Sequence, residues 1–264
     1  MRAIAHVGGL LLAALSYCVP AFAADVANKA PSATKSPAAL ECFGIFRGSS
    51  KSLMDSTGTP VTNGASTQGI LDCGPEQGFH VEIFGSVSKK DRVGDEFDLR
   101  FGPRGSIGWL NYDATVAGYH FIIGDGSHWN VYNARLDLST AAFDLGHGVT
   151  VTPKLRIDEQ HFVNLDMEEM LGIRPSVELG WRIIDSGWKP TIGFEIGAWG
   201  YLSTPFPNKG PIVYMVPSFS VTVPATTATL FVEAVITDGR ADEVNSLGKW
   251  DSAIRVGVKG PFRF

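Results

Sequence analysis

The sequence predicts an all-β chain, folded as a transmembrane up-and-down antiparallel β-barrel of about 12 strands, with 10 or 14 as the alternatives. Three observations carry this. First, residues 249–264 set Ile254, Val256, Val258, Gly260, Phe262 and Phe264 against Arg255, Gly257, Lys259, Pro261 and Arg263, which is the period of a strand. An apolar face that ends on an aromatic, backed by three cations, suits a strand with lipid on one side and a wet interior on the other. Second, the breaks between strand-like runs alternate between tight and long, the tight ones beginning at residues 74, 110, 144, 185 and 224. That is a meander with tight turns at one end and longer loops at the other, whereas a Greek-key sandwich needs crossing connections. Third, 44% of the 264 residues are hydrophobic and 19% charged, yet no run is long enough to cross a bilayer as a helix. A barrel distributes its apolar residues at alternate positions.

Residues 1–23 read as a signal peptide: Arg2 is the positive end, 7–15 the apolar core and Ala21-Phe22-Ala23 the cleavage site. Residues 24–38, rich in Ala, Ser, Lys and Pro without periodicity, read as a flexible periplasmic lead segment, and 39–264 as the barrel. Cleavage removes Arg2 and no acid, so the formal charge moves from −5 to −6 and gives no sign of nucleic acid as a partner.

Strand one spans 39–48 and strand two 65–73, separated by a polar Gly/Ser/Thr-rich loop. Strand three opposes Phe79, Val81, Ile83 and Val87 to His80, Glu82, Ser86 and Ser88, with Phe84 spoiling the polar face. Strand four opposes Phe97, Leu99 and Phe101 to Asp98 and Arg100, and a tight break at 110–111 leads to strand five. Strand six opposes Tyr132, Ala134, Leu136 and Leu138 to Asn133, Arg135, Asp137 and Ser139. Strand seven sets Val149, Val151, Pro153, Leu155 and Ile157 against Thr150, Thr152, Lys154 and Arg156, and a long loop is expected over 159–173. Strand eight pairs Val177, Leu179, Trp181 and Ile183 with Glu178, Gly180 and Arg182. Strand nine pairs Ile192, Phe194, Ile196 and Ala198 with Gly193, Glu195, Gly197 and Trp199. Strand ten (212–223) is weaker in pattern, strand eleven has Leu230, Val232, Ala234 and Ile236 against Thr229, Phe231 and Glu233, and the terminal strand is the twelfth.

The polar faces define the expected lumen lining: Glu82, Asp98, Arg100, Arg135, Asp137, Lys154, Arg156, Glu178, Arg182, Glu195, Glu233, Arg255 and Lys259. Neither sign dominates, although the bases on strands six to eight beside the terminal strand would favour anions in a water-filled lumen. A narrower barrel would instead pair these groups and fill the space. Trp109, Tyr112, Tyr119, Trp129, Tyr132, Trp188, Trp199, Tyr201 and Trp250 fall mostly near strand ends, where interfacial girdles are expected. Cys42 and Cys73 lack C-x-x-C spacing and a nearby His, which favours a structural role; if strands one and two pair as a hairpin, the two reach the same end and can bond.

No soluble-enzyme motif is present, and Gly105-Ser106-Ile107-Gly108 is one residue short of a nucleophile elbow. Ser127-His128 and His161 beside Asp158 and Glu159 are the only rim groups with catalytic chemistry, and as dispersed loop residues they read as solvated. The acids Asp158, Glu159, Asp166, Glu168 and Glu169 lack the order of a calcium loop. The expectation is therefore a non-enzyme with no cofactor and no metal.

Phe46-Arg47-Gly48, Gln68-Gly69, the run 78–86 (GFHVEIFGS) and Tyr112-Asp113 together resemble the opening of the TorF-type putative porins, a group of Gram-negative outer-membrane β-barrels. Cys42, Cys73 and His80 depart from that pattern. The resemblance implies insertion in outer-membrane lipid and a terminal signal, Phe262 and Phe264, presented to the barrel assembly machinery. It also implies transport, so the expected function is passive diffusion of small hydrophilic solutes. The alternatives are a non-conducting structural or adhesion barrel and a soluble periplasmic β-sandwich binding module.

Overall fold

A computed structural model describes residues 41–263 except 54–59, 63, 89–94, 123–127, 164–168, 186, 204–211, 225 and 239–250. The expected signal peptide and lead segment, Ser127, Asp166, Glu168, Trp250 and Phe264 lie outside the described residues.

Twelve strands build the barrel. They are β1 (Glu41–Ser49), β2 (Ser66–Cys73), β3 (Gly78–Ser88), β4 (Asp95–Ile107), β5 (Leu110–Ile122), β6 (His128–Thr140), β7 (Val149–Phe162), β8 (Met170–Arg182), β9 (Pro190–Ser203), β10 (Ile212–Thr222), β11 (Thr229–Thr237) and β12 (Asp251–Arg263). Each pairs antiparallel with its neighbours in sequence, and β12 pairs with β1 from Glu41 opposite Arg263 to Ser49 opposite Arg255, which closes the sheet. Closure leaves no row of unpaired N–H and C=O groups at an edge. Two short pieces extend the barrel ends: Ser52–Leu53 pairs with Pro60–Thr62, and Phe143–Gly146 pairs with the start of β7.

Three expected boundaries move. The break expected to begin at 144 turns at 147–148 instead, because Phe143–Gly146 is extended against β7. The second tight turn is at 108–109, not 110–111: Gly108 takes φ 63, which glycine adopts without a Cβ penalty, and Ile107 pairs with Leu110. Asn111 is thereby a strand residue, accepting from Ser106 Oγ at 2.8 Å. The loop expected over 159–173 shortens to 163–169, because the β7–β8 ladder continues to Gln160 opposite Met170. Asp158, Glu159 and His161 are therefore on a strand, and only Asp158 of the three points inward.

The alternation sorts by environment. Phe79, Val81, Ile83, Phe97, Leu99, Phe101, Val177, Leu179, Ile192, Ile196, Leu230, Val232, Ile254, Val256 and Val258 all stand exposed on the outer face. Leaving side chains of this size in water forfeits about 1.5–3 kcal/mol each, so a continuous belt of them is a lipid-facing surface. The interior is mostly polar, with aromatic exceptions. Phe84 is fully buried inside, and Phe231 lies inside with Lys259 Nζ 5.6 Å from its ring centre. Trp109, Trp188 and Tyr132 are exposed, as a girdle requires, but Tyr119 and Trp199 are buried and point inward, because both fall on the polar parity of their strands.

Cys42 stands opposite Cys73 in the β1–β2 ladder, and the two form a disulfide across a sequence separation of 31. Replacing both by Ser is expected to lower stability by about 3–4 kcal/mol, from the chain entropy that such a closure removes from the unfolded state. The check is the urea concentration at which the compact, unheated gel form is lost. An unchanged midpoint would mean that the bond does not constrain the unfolded chain.

Candidate functional site: the barrel interior

The lumen is built asymmetrically. Against β2–β6 the inward side chains pack on one another. Arg47 Nε donates to Gln68 Oε1 at 2.7 Å, and Arg100 reaches Glu82 Oε1 at 2.5 Å and Asp98 Oδ2 at 3.2 Å. Arg100 also lies 5.4 Å from the centre of the Tyr119 ring. The Tyr119 hydroxyl donates to Asn133 Oδ1 at 2.8 Å and accepts from Arg135 Nη2 at 3.1 Å. Deep burial raises the cost of any unpaired polar group, which is why this wall is cross-bonded. Gln160 Nε2 continues it by donating to Asp158 Oδ2 at 3.1 Å.

Space opens over the tight-turn ends of β4–β7 and against β7–β12 and β1. A cavity of about 480 Å³ opens at the tight-turn end, lined by Glu76, Arg104, Asp113, Asp137, Lys154 and Arg156 among others. A second cavity, of about 250 Å³, shares Asp137, Lys154 and Arg156 with the first and continues to Arg47, Arg174, Glu195, Tyr214 and Arg255. Strands β1 and β7 lie six apart round the closed ring, so Arg47 and Arg156 face this inner chamber from opposite walls.

Its charges are held by short contacts. Arg156 grips Asp137 with Nε at 2.6 Å and Nη2 at 3.2 Å. Arg174 Nε donates to the Tyr214 hydroxyl at 2.9 Å while stacking 4.2 Å from the ring centre, and that hydroxyl donates to Glu195 Oε1 at 2.7 Å. Lys154 pairs with Glu178 and stands 3.8 Å from Glu195; Arg255 pairs with Glu233 at 2.7 Å. Two-pronged Arg contacts fix side-chain direction as well as charge.

At the tight-turn end, β2–β5 share a further node. His80 Nδ1 lies 2.9 Å from Asp72 Oδ1 and Nε2 lies 3.1 Å from Asp113 Oδ1. Arg104 Nη1 donates to the other oxygen of Asp72, while Nε and Nη2 donate to the carbonyls of Pro75 at 2.9 Å and Gly74 at 3.0 Å. Ionised carboxylates only accept hydrogen bonds, so two of them on one ring call for the imidazolium. His80 reaches Asp113 across β4 because its ladder partner there is Gly102, which offers no side chain.

The residues expected to line the lumen share the inward parity of their strands, but they divide. Asp137, Lys154 and Arg156 line both cavities, and Glu195 and Arg255 the inner one. Glu178 and Glu233 stand beside the cavity cations, Lys259 is over Phe231, and exposed Arg182 pairs with Asp185 at 3.2 Å. Glu82, Asp98, Arg100 and Arg135 belong to the packed wall and line neither cavity, since their hydrogen bonds turn them along the sheet. Arg47, Arg104, Asp113, Arg174 and Tyr214 line the cavities and are positions that strand alternation alone did not single out. His161 pairs with Glu169 at 3.5 Å on the outer side, and among the described residues no group of three His, Cys, Asp or Glu is placed to hold a metal.

No protein-family model matches the chain, and no curated protein does. Solved barrels do. The NanC porin superposes with a TM-score of 0.52 at 12% identity, covering 84% of this chain and 98% of that one. The KdgM porin gives a TM-score of 0.52 at 11% identity, covering 84% of this chain and 99% of that one. At such identities the likeness is one of fold: an outer-membrane β-barrel, without selecting the TorF-type family.

Proposed function

We propose that the chain is a passive diffusion channel for small hydrophilic solutes, inserted in an outer membrane and related to the TorF-type putative porins. The observation that carries this is the pair of cavities sharing Asp137, Lys154 and Arg156, a polar space that runs inward from the tight-turn end of the barrel. Water and solutes are stabilised there by charged and hydroxyl groups, while the outer belt of apolar side chains faces lipid. No bond-making step is assigned, and the reading is of a non-enzyme. In the same reading residues 1–23 direct export and are removed, 24–38 remain in the periplasm, and the terminal strand is the part recognised during assembly.

A second reading, a non-conducting barrel that presents its outer loops, is favoured by one observation: the wall containing Gln68, Phe84, Asp98 and Arg135 is packed and almost inaccessible. Planar-bilayer recording of the refolded protein separates the two. Stepwise single-channel conductance is the expected result. A silent bilayer, with protein that runs compactly on an unheated gel, would leave the non-conducting barrel standing.

A further inference from the structure

We propose that the inner chamber is a filter for oxyanions, so that the solutes passed are small molecules carrying carboxylate or phosphate groups; this rests on the channel reading above. Five cations line the chamber, Arg47, Lys154, Arg156, Arg174 and Arg255, against two acids, Asp137 and Glu195, with two more acids, Glu178 and Glu233, paired to Lys154 and Arg255 beside it. The surplus of positive charge is small, and the bias lies in hydrogen-bond donors, because the acids are already engaged. Asp137 accepts two bonds from Arg156, and Glu195 accepts from Tyr214 with Lys154 and Arg174 within ion-pair range. Each guanidinium carries five N–H donors in a fixed fork and no acceptor, so pairing with one carboxylate leaves donor capacity. The chamber wall is therefore rich in donors and poor in acceptors.

Topology adds the decisive feature. Arg47 and Arg255 come from the adjacent strands β1 and β12, whereas Lys154, Arg156 and Arg174 come from β7 and β8 across the ring. A solute in this cavity is met by cations from two opposing walls, an arrangement that a single basic stripe does not supply. Tyr214 holds Arg174 by its ring and its hydroxyl, so that guanidinium is pre-aimed. An oxyanion accepts from either wall, and a hydrated cation meets carboxylates already bonded to cations on both sides.

The test uses the full-length protein in a planar bilayer. Under a KCl gradient the reversal potential should report preference for chloride, and citrate or inorganic phosphate on one side should reduce the KCl current where sucrose does not. Reduction by citrate alone, phosphate alone or both supports the filter and names the oxyanion. Arg47→Gln should move the chloride preference towards unity and weaken the citrate effect by roughly threefold or more, an effect of removing one charge from a confined field. Gln68, which accepts from Arg47 Nε, is neutral. Arg174→Lys should keep the reversal potential but lose citrate sensitivity, since charge remains and the fork does not. A conducting channel that prefers potassium, or one indifferent to citrate, phosphate and Arg47→Gln, overturns the filter and leaves the channel intact. Absence of conductance overturns both.

Discussion

Deleting residues 262–264 is expected to cut the amount of folded barrel in the outer membrane by roughly tenfold or more, because an open β12–β1 seam leaves backbone groups unpaired in lipid, each costing several kcal/mol. The structure says why the aromatic end matters beyond the lost ladder. Cys42 pairs with Phe262, and the Phe262 ring lies over Gly44 of β1, where an added Cβ would meet ring carbons at 2.3 and 2.9 Å. Gly44 thus leaves a seat for the ring, and the ring covers the bare backbone at the barrel's closing pair. Two point variants separate seat from signal. Gly44→Val should destabilise the purified barrel, since the displaced atom is a large ring beside a closed ladder. Phe262→Ala should lower both membrane levels and the heat needed to convert the compact gel form. Wild-type levels after the deletion would show that closure and assembly do not depend on this end. A loss of membrane levels with unchanged stability of refolded Phe262→Ala would assign the residue to recognition alone.

The part of the architecture that was legible in the sequence is the part set by period. Outward Ile, Val, Leu and Phe alternate with inward charges in β3, β4, β6 and β12, and a period of two has only one way to place them when one side is lipid. Boundaries were less legible where the pattern is diluted. In β8 the run Met170-Leu171-Gly172-Ile173-Arg174 follows an acidic stretch, so its alternation looks like loop until the ladder to β7 is seen. Arg174 was lost with it. Tyr214 was hidden for another reason: β10 carries apolar residues on both faces, Ile212, Tyr214 and Val216 inward and Val213, Met215 and Pro217 outward. Arg47 follows two glycine-punctuated aromatics, Phe43 and Phe46, whose sizes mask the parity of β1. What no period contains is which inward residues meet. Arg47 and Arg156 are more than 100 positions apart in the chain and share a chamber only because the ring closes.

The same limit applies to His80, which the alternation places inward but whose partners it cannot name. Replacing it with Ala is expected to destabilise the barrel by about 2–4 kcal/mol, less than a fully buried pair would lose because both carboxylates remain partly wetted. Asp72 would keep Arg104, whereas Asp113 would lose the ring nitrogen 3.1 Å away and stand as a half-covered anion beside Asp72. The node spans β2, β3, β4 and β5 at the tight-turn end, so its loss should loosen three hairpin contacts at once rather than one ladder position. A double-mutant cycle distinguishes this from generic cavity formation. His80→Ala and Asp113→Asn should each lower the urea midpoint of the compact gel form, and the combined variant should be less destabilised than the sum by about 1–2 kcal/mol, the range for directly bonded residues. Strict additivity would mean that His80 and Asp113 do not act on each other. Gly102→Ala supplies the independent arm: its Cβ would come within 1.9 Å of the Ala114 carbonyl oxygen, forcing β4 away from β5. If the imidazole reaches Asp113 only across that bare glycine, this variant should erase the coupling between His80 and Asp113 while leaving the Asp72–Arg104 pair in place.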